Sequence, residues 1–319
     1  MHTIRMTVDE RNLVATNVVA ITLRPLAPVP LPAWSPGAHI DLTLGPGLRR
    51  SYSLCGDPDD LDCYEIAVLD VPQGRGGSRR VHELEVGAML DVTAPSNTFE
   101  LVDAESYLFI AGGIGITPIL PMVAEADRSG RPWTLYYGAR DRAAMAFADA
   151  LAIYGDPVNL VCEDEHGLLD IPRILKGTEE AETPPAIYCC GPAPLLKAVE
   201  DAHQSSTVEA PLYFERFSPL ETHFGDLQAF EVQLGHDGPV LAVPETRSIL
   251  DVLKQADVDV LYSCEQGTCG SCETQVLSGD VDHRDATLTD QDRADGRMLV
   301  CVSRARCPRL VLDLEPPEA

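Results

Sequence analysis

The residues of this chain with the clearest capacity for chemistry are four cysteines near its carboxyl end: Cys264, Cys269, Cys272 and Cys301. Thiolates are strong ligands for metal ions and metal clusters. The first three lie on one short segment, so they can surround a compact group only if the backbone between them bends tightly. Gly267 and Gly270 permit that bend. The residue types and spacing predict a cluster held by one loop and one distant cysteine.

The spacing Cys-x4-Cys-x2-Cys with a distant fourth cysteine is typical of plant-type 2Fe-2S ferredoxins. Structural zinc sites usually bring two short Cys or His pairs, and only Cys269 and Cys272 form such a pair. A 2Fe-2S cluster takes up one electron at a time. Plant-type clusters have potentials of about −400 mV, so a donor near NADH suffices. A zinc-stabilised binding protein is the alternative, and metal analysis would distinguish the two.

The segment Arg50-Ser51-Tyr52-Ser53 alternates charged, hydroxyl and aromatic side chains on a predicted strand. These groups suit a flavin, because the guanidinium can pair with a phosphate, the ring can stack beside the isoalloxazine and the hydroxyls can donate to ring nitrogens. A half-exposed strand without a ligand would carry the same residue types. Residues 74–78, Gly-Arg-Gly-Gly-Ser, form a small turn before a possible helix, and its amides could hold the phosphate.

Residues 111–118 (Ala-Gly-Gly-Ile-Gly-Ile-Thr-Pro) and 188–195 (Tyr-Cys-Cys-Gly-Pro-Ala-Pro-Leu) each join a predicted strand to a predicted helix. In a parallel sheet such strand ends lie at one edge, where ligands bind. Pro118 replaces the third glycine of a strict G-x-G-x-x-G fingerprint, which disfavours an ordinary Rossmann domain. We expect the two junctions to line one nucleotide cleft, and two unrelated tight turns are the alternative.

The elements that position these residues fall into three predicted domains. Residues 1–102 carry short apolar segments bounded by Pro and Gly, which predicts an antiparallel β-barrel. Its candidate strands cover residues 17–23, 39–44, 50–54 and 64–71. Residues 103–222 alternate strands and helices, which predicts a parallel α/β sheet. Its strands are expected at 107–111, 133–137, 158–161 and 186–190, and its helices at 119–128, 143–153 and 194–202. After a polar linker over 218–228, residues 223–319 form the cluster domain.

The composition excludes several classes of protein. A net charge of −26 argues against nucleic-acid binding, which depends on clustered Lys and Arg. No apolar stretch reaches the roughly 18 residues of a membrane span. The amino-terminal residues lack a secretory signal, and ten cysteines without one are expected to be reduced. We therefore expect a cytoplasmic protein without nucleic-acid or membrane contacts, and a monomer, because three modules in one chain complete a redox route.

In their order along the chain, these motifs resemble the phthalate dioxygenase reductase family, which includes vanillate demethylase reductases and belongs to the wider ferredoxin-NADP reductase group. The resemblance covers essentially the whole chain. Besides the segments above, its motifs lie at residues 136–140, 214–217, 279–285 and 300–305. It implies an FMN-binding β-barrel, an NADH-binding α/β domain and a β-grasp ferredoxin domain in one polypeptide.

The resemblance also implies roles for individual residues. The FMN contacts would be Arg50, Ser51, Tyr52, Ser53, Ala67, Val68 and Leu69, with Gly76, Gly77 and Ser78 on the phosphate. The nicotinamide nucleotide cleft would be formed by Gly112, Gly113, Cys190, Gly191 and Pro192, with Arg140 near the adenosine. Thr117 and Phe217 would lie near the flavin ring. The residues closest to hydride transfer would be Ser53, Thr117 and Cys190. The metal ligands would be Cys264, Cys269, Cys272 and Cys301.

The cofactor set implies an order of electron transfer. NADH gives up a two-electron hydride, a 2Fe-2S cluster takes up single electrons, and a flavin can divide the pair. We expect electrons to pass from NADH to FMN, then to the cluster and to an external acceptor. By resemblance the acceptor is a terminal oxygenase, either a Rieske non-heme iron enzyme or a heme-thiolate monooxygenase. A redox sensor with an inactive reductase half is the alternative, and mixing with NADH would then leave the flavin unreduced.

Two finer expectations concern specificity. A 2′-phosphate usually needs clustered basic groups, whereas Arg140 is followed by Asp141 before Arg142. We therefore expect NADH to be preferred over NADPH. The rim of the cysteine loop is the expected docking surface for the acceptor, with Glu265, Gln266 and Thr268 as candidates.

Overall fold

The computed structural model describes residues 3–74, 76–178, 183–206, 210–217, 228–262, 264–265, 267–285 and 287–316. The chain divides into two compact units, Met1–Phe217 and Ser218–Ala319. The predicted linker except Gln228, the turn residue Arg75 and the docking candidate Gln266 lie outside the described residues. Within the described part of the chain, no helix combines the length and apolar character that crossing a membrane requires.

The first unit begins with a closed antiparallel barrel. Its strands are β1 (Thr3–Ala15), β2 (Val18–Pro25), β3 (Ala38–Gly45), β4 (Leu48–Ser53), β5 (Tyr64–Leu69), β6 (Met89–Thr93) and β7 (Ser96–Asn97), and helix α1 (Gly77–His82) follows β5. The strands pair in the order β4-β3-β6-β1-β2-β5, with β7 beside β3. A bridge between Leu54 and Ile66 joins the two ends of this order and closes the sheet. Buried side chains such as Ile21, Ile40 and Val92 fill the interior. The predicted barrel is confirmed.

The same unit continues with a five-stranded parallel sheet. Its strands are β8 (Tyr107–Gly112), β9 (Trp133–Ala139), β10 (Val158–Cys162), β11 (Ala186–Cys190) and β12 (Leu212–Glu215). Its helices are α2 (Ile116–Arg128), α3 (Ala148–Leu151), α4 (Glu163–His166), α5 (Ile171–Lys176) and α6 (Ala193–Ser205). The order β10-β9-β8-β11-β12 changes direction between β8 and β11, which is where such sheets bind ligands. Phe109 packs with Ile119 on one face, and Ile110 with Val199 on the other. The predicted α/β domain is confirmed.

The helix predicted over 143–153 is wrong. Single 3-10 turns at Arg142–Ala144 and Ala152–Tyr154 flank the short α3. Phe147, immediately before α3, has a φ of 59°, a left-handed conformation that a continuous α-helix does not contain. The side chain of Asp141 accepts a hydrogen bond of 2.8 Å from the amide of Ala144, which favours a local turn over a helix here.

In its described residues, the second unit is a small mixed sheet with two helices. Its strands are β13 (Phe230–Leu234), β14 (Val240–Val243), β15 (Glu273–Ser278), β16 (Val281–Asp282), β17 (Arg297–Leu299), β18 (Arg304–Ala305) and β19 (Arg309–Leu312), and its helices are α7 (Ile249–Gln255) and α8 (Asp290–Ala294). The main sheet has the order β14-β13-β19-β15-β17, with β13 and β19 parallel. Ile249 and Leu253 of α7 pack with Val232 and Leu310. This arrangement confirms the predicted β-grasp domain.

Candidate functional site

Three polar side chains, of which Ser53 and Cys190 are buried and Glu215 is half-buried, join the barrel to the parallel sheet. Ser53 Oγ, at the end of β4, donates a hydrogen bond of 3.2 Å to Oε2 of Glu215. Cys190 Sγ lies 3.9 Å from the same oxygen. The second contact follows from strand register, because Cys190 and Glu215 are directly paired at the ends of β11 and β12. Two predicted catalytic residues, Ser53 and Cys190, are therefore brought together by a carboxylate that the sequence analysis did not assign.

The environment of this group changes the acidity of its members. Burial raises the pKa of Glu215 to about 8, although the Ser53 and Cys190 hydrogen bonds act in the opposite direction. Glu215 therefore carries a proton at neutral pH. Burial also raises the pKa of the Cys190 thiol well above its usual range, and the nearby Glu215 adds to this. The thiol stays neutral, so Cys190 is a hydrogen-bonding and packing group rather than a nucleophile.

The alternation of β4 separates the four residues that were expected to share one flavin. Ser51 Oγ donates a hydrogen bond of 2.7 Å to Oδ1 of the buried Asp41 on β3, so its hydroxyl is already engaged. Tyr52 packs against the barrel interior, and burial raises its pKa. Side chains two apart share a face of a strand. Ser51 and Ser53 therefore lie on one face of β4, and Arg50 and Tyr52 on the other.

The glycine turn before α1 lies against Arg50. Gly76 has a φ of 84°, which glycine adopts at low cost. A Cβ placed on Gly77 would come within 2.5 Å of Cγ of Arg50. Ser78 Oγ accepts a hydrogen bond of 3.0 Å from the amide of Val71, which fixes the turn to the end of β5. A guanidinium and a glycine turn thus meet where an anion could be held.

The predicted flavin contacts on β5 are largely buried in protein. Ala67 is 5% and Val68 3% exposed, and Leu69 is half-buried. The carbonyl of Val68 lies 2.8 Å from Nε2 of His82. One edge of β5 pairs with β2, whereas its other edge meets the chain after β4 at the bridge between Leu54 and Ile66, beside a hydrogen bond of 2.9 Å from the amide of Cys55 to the carbonyl of Glu65. Backbone groups along that second edge are the parts of this segment that remain for a ligand.

The two glycine junctions pack directly against each other. A Cβ on Gly112 would lie 2.8 Å from Cδ of Pro192, and one on Gly115 would lie 2.3 Å from the carbonyl oxygen of Cys190. A Cβ on Gly191 would lie 3.0 Å from the amide nitrogen of Gly112. The backbones at the carboxyl ends of β8 and β11 therefore approach each other closely. The two junctions form one continuous surface where the strand order of the sheet changes direction.

Three other predicted site residues have different surroundings. Thr117 is buried, and its hydroxyl donates to the carbonyl of Ile114 at 3.0 Å within the first turn of α2. Phe217 is 38% exposed two residues after Glu215. Arg140 is exposed after β9, and its carbonyl accepts a hydrogen bond of 3.0 Å from the amide of Asp164. The acidic α4 therefore lies beside Arg140.

The four predicted ligand cysteines meet in the second unit. Each is at most 7% exposed, and all are free thiols: Cys264, Cys269, Cys272 and Cys301. Thiol contacts join Cys264 to Cys269 and Cys272 to Cys301, and a third contact joins Cys264 to Cys301. In the described part of the chain, no three Cys, His, Asp or Glu side chains form a group arranged for a metal ion. The four thiols therefore form one continuous group, linked through the contact of Cys264 with Cys301.

The acidity of the thiols reflects these contacts. Hydrogen bonds from the Cys269 and Cys301 thiols lower the pKa of Cys264, and the hydroxyl and amide of Thr268 act in the same direction. The same contacts raise the pKa of Cys269 and of Cys301, which hold their protons as donors. Binding of a metal cluster requires release of those protons.

The predicted docking residues on the loop rim are partly engaged within the domain. The carboxylate of Glu265 pairs with Nζ of Lys254 at 3.2 Å, and its side chain is 30% exposed. Lys254 also lies 4.2 Å from the ring centre of Tyr262. Glu265 has a φ of 54°, so the loop holds it in a left-handed conformation. Glu265 is therefore bound to Lys254 within the domain, and Thr268 is hydrogen-bonded to Cys264 within the loop.

Comparison with known proteins agrees with this geometry. Residues 235–306 match the family model of the 2Fe-2S iron-sulfur cluster binding domain, and this range contains the four cysteines. The phenoxybenzoate dioxygenase subunit beta of Ectopseudomonas oleovorans is 42% identical over 304 residues, which cover 94% of each chain.

Two solved structures are similar across nearly the whole chain. Phthalate dioxygenase reductase, described as a modular structure for electron transfer from pyridine nucleotides to 2Fe-2S, is 35% identical with a TM-score of 0.73, and 98% of both chains is covered. An intact type IV self-sufficient cytochrome P450 monooxygenase is 40% identical with a TM-score of 0.87. That similarity covers 98% of this chain but only 41% of the P450 polypeptide.

Proposed function

Because the chain belongs to the phthalate dioxygenase reductase family, we propose that it is the reductase component of an oxygenase system and passes electrons from NADH, through FMN and a 2Fe-2S cluster, to a terminal oxygenase. The observation that carries the proposal is a set of four buried free thiols, meeting in one group, in the same chain as a nucleotide-type glycine cleft. One-electron and two-electron chemistry are thus combined in one polypeptide.

The residues around the barrel turn fit FMN. When bound, FMN converts the two-electron donation of NADH into single electrons. Arg50 and the amides of residues 76–78 would hold its phosphate, because the guanidinium lies against a turn in which even one added methyl group at Gly77 would collide. The half-buried ring of Tyr52 and the hydroxyl of Ser53 would each approach the flavin from successive residues at the carboxyl end of β4.

The residues at the junctions fit a nicotinamide nucleotide. A Cβ on Gly113 would meet nothing within 4 Å, so the backbone there leaves room for close approach of a dinucleotide beside Gly112, Gly191 and Pro192. Glu215 holds a proton close to Oγ of Ser53, and the neutral Cys190 thiol closes the other side of the carboxyl group. These three residues would orient the reacting rings and keep charge away from them during hydride transfer.

The four cysteines fit a 2Fe-2S cluster. When bound, the cluster supplies single-electron exit from the protein. The thiolates of Cys264, Cys269, Cys272 and Cys301 would together bind its two irons. Gly267, with a φ of 72°, and Gly270, with a φ of 74°, turn the backbone around the group.

NADH is the proposed electron donor in preference to NADPH. The acidic residues of α4, Glu163, Asp164 and Glu165, are exposed beside Arg140 at the carboxyl edge of the sheet. Their charges would oppose a 2′-phosphate and tolerate a ribose hydroxyl. Comparable steady-state turnover with NADPH would contradict this preference.

A Rieske non-heme iron oxygenase is the proposed acceptor, as the dioxygenase name of the relative suggests. A heme-thiolate monooxygenase is a second candidate, which is favoured by the similarity to part of a self-sufficient cytochrome P450. NADH-dependent turnover reconstituted with each class of purified oxygenase would decide between them.

We also propose a reducing, cytoplasmic location and a monomeric state. All ten cysteines are free, and the cluster ligands must remain reduced. Sedimentation of the loaded protein would test the monomer, and a dimer at micromolar concentration would contradict it.

Anaerobic reconstitution tests the whole proposal. Purified protein supplied with FMN, iron and sulfide should bind one flavin and one cluster, and stopped-flow mixing with NADH should reduce the flavin first and the cluster afterwards. Protein that binds zinc instead of iron, or whose flavin stays oxidised with NADH, would contradict it.

A further inference from the structure

Asp285 is a buried carboxylate beside the cysteine loop. Its side chain is 0% exposed, and it is the one Asp or Glu classed as buried among the described residues of the second unit. It belongs to a segment of the family motif at residues 279–285 to which no role has been assigned above. Buried carboxylates are costly unless they are paired, so the contacts of Asp285 indicate what it does.

Four groups from three elements converge on Asp285. The amide of Leu288 donates to Oδ2 at 2.9 Å. Arg293 of α8 approaches the same oxygen at 3.4 Å. Ser303 Oγ donates to Oδ1 at 3.5 Å, and Nδ1 of His283 lies 3.6 Å from that oxygen. Asp285 therefore links its own segment to α8 and to the residues that follow the fourth ligand cysteine.

The segment of Asp285 lies directly on the cysteine loop. A Cβ on Gly267 would come within 3.2 Å of Cα of Asp285 and 2.6 Å of a methyl group of Val302. Thr287 Oγ1 donates to the carbonyl of Gly267 at 3.1 Å. Gly267 lies between the ligands Cys264 and Cys269, and Ser303 is two residues after Cys301. The segment of Asp285 thus contacts the cysteine loop through its backbone and Thr287, and the segment after Cys301 through the side chain of Asp285.

Arg293 is the cation that balances Asp285. Burial lowers the pKa of His283, so this imidazole is neutral at neutral pH and cannot balance the carboxylate. The guanidinium of Arg293 keeps its charge under all ordinary conditions. Arg293 also approaches the exposed Asp290 at 3.9 Å, but that contact is solvated and contributes little.

We propose that Asp285 is a positioning residue which, paired with Arg293, fixes the cysteine loop against the Cys301 segment and sets the reduction potential of the cluster. The inference rests on the proposed 2Fe-2S cluster. A carboxylate near the cluster disfavours an added electron, and a nearby guanidinium favours it. Removing either partner leaves the other uncompensated, so the two substitutions should shift the potential in opposite directions.

The test is a redox titration of the reconstituted full-length protein, monitored by EPR, for wild type, Asp285→Asn, Arg293→Gln and Asp290→Asn. Asp285→Asn should raise the equilibrium constant for cluster reduction about tenfold, which corresponds to about 59 mV for a one-electron couple. Arg293→Gln should lower it. Asp290→Asn, an exposed aspartate beside the same arginine, is the matched control and should leave it unchanged.

Opposite shifts in the two buried-pair variants support the inference, because a purely structural defect would not change sign. Equal potentials in all four proteins overturn it. Should Asp285→Asn fail to retain a cluster, Arg293→Gln decides: a lowered potential supports the inference, and an unchanged one overturns it. Wild-type protein that takes up no cluster would contradict the proposed function itself, an outcome visible from iron content before any titration.

Discussion

The hydroxyl of Ser53 donates to the carboxyl of Glu215 at 3.2 Å, although 162 positions separate the two residues in the chain. Ser53 is the final residue of barrel strand β4, and Glu215 is the final residue of β12 in the parallel sheet. The contact gives the barrel and the parallel sheet of the first unit a shared, protonated group.

Glu215→Gln should keep flavin reduction by NADH within about tenfold of wild type at neutral pH, because its amide is uncharged like the protonated carboxyl group that it replaces. Wild-type rates should fall as the pH rises through about 8, where Glu215 loses its proton. The variant should lack that transition. Stopped-flow rates between pH 6 and pH 10 check both points, with the exposed Glu105→Gln as control. A transition that persists in Glu215→Gln would assign it to another group.

The same carboxyl group should make stability depend on pH. The folded state keeps the proton on Glu215 up to about pH 8, whereas the ordinary pKa of glutamate is 4.5. The folded state therefore binds more protons in this interval, and the free energy of unfolding should fall as the pH rises through it. Urea unfolding of the first unit at several pH values would show a shallower dependence in Glu215→Gln, and an identical slope would contradict the prediction.

Gly77→Ala should weaken FMN binding at least about tenfold, because the new methyl group would come within 2.5 Å of the Arg50 side chain and displace it from the phosphate. Flavin fluorescence measures the dissociation constant. Gly177→Ala is the control, since its nearest contact is 3.3 Å and it lies far along the chain. Equal affinities in the two variants would place the phosphate elsewhere.

Replacing Glu163 and Glu165 together by Gln should raise kcat/KM for NADPH roughly threefold to tenfold, a modest gain because both charges are exposed. The value of kcat/KM for NADH should stay almost unchanged, because NADH has no 2′-phosphate. The gain should shrink at high salt, because salt screens exposed charges. Glu105→Gln, on the segment before β8 at the opposite edge of the sheet, should change neither value. An equal gain for both nucleotides would argue against charge repulsion at a 2′-phosphate.

Cys301→Ser should abolish the EPR signal of the reduced cluster while flavin reduction by NADH stays within about twofold of wild type, because the proposed flavin and nucleotide residues belong to the first unit and Cys301 to the second. Cys307→Ser is the matched control, since Cys307 is only half-buried and its thiol lies 3.2 Å from the amide of Asp280. A cluster lost equally in both variants would mean that folding, rather than ligation, had been changed.

Glu265→Lys should weaken electron delivery to the oxygenase if this rim is the docking surface, but it also places two lysines together. The double variant Lys254→Glu with Glu265→Lys keeps an ion pair at the same position. Delivery should stay weak in the double variant and depend on ionic strength. Recovery of wild-type delivery by the double variant would show that the ion pair itself, not docking, was responsible.

Local features of the sequence predicted much of this molecule. The cysteine ligands are recognisable because three of them share a short loop, and the glycine junctions because each directly follows an apolar strand. Glu215 was missed because its role depends on the pairing of β12 with β11, which no local pattern reveals. In the sequence, its segment Phe-Glu-Arg-Phe is recognisable only as a family motif. A single acidic residue at the end of a strand is the one feature that could have indicated a functional role for Glu215.

Other errors have similar causes. The hydrogen bond from the hydroxyl of Ser51 to Asp41, on a neighbouring strand, was not predicted. Strand β1 was not anticipated because most of its side chains are exposed, which leaves little apolar periodicity. The apolar residues over 143–153 are spaced as in a helix. In the structure, Met145, Ala146 and Leu151 are buried from separate short turns rather than from one continuous helix.

The location of Glu215 has a dynamic consequence. In the described residues β12 pairs only with β11, through four residue pairs, and therefore forms an outer edge of its sheet. Edge strands open at lower free energy than central ones. Fraying of β12 would withdraw the acid from Ser53 while the rest of the fold remained intact, so heating should abolish catalysis below the midpoint of global denaturation, in step with amide exchange along this one strand.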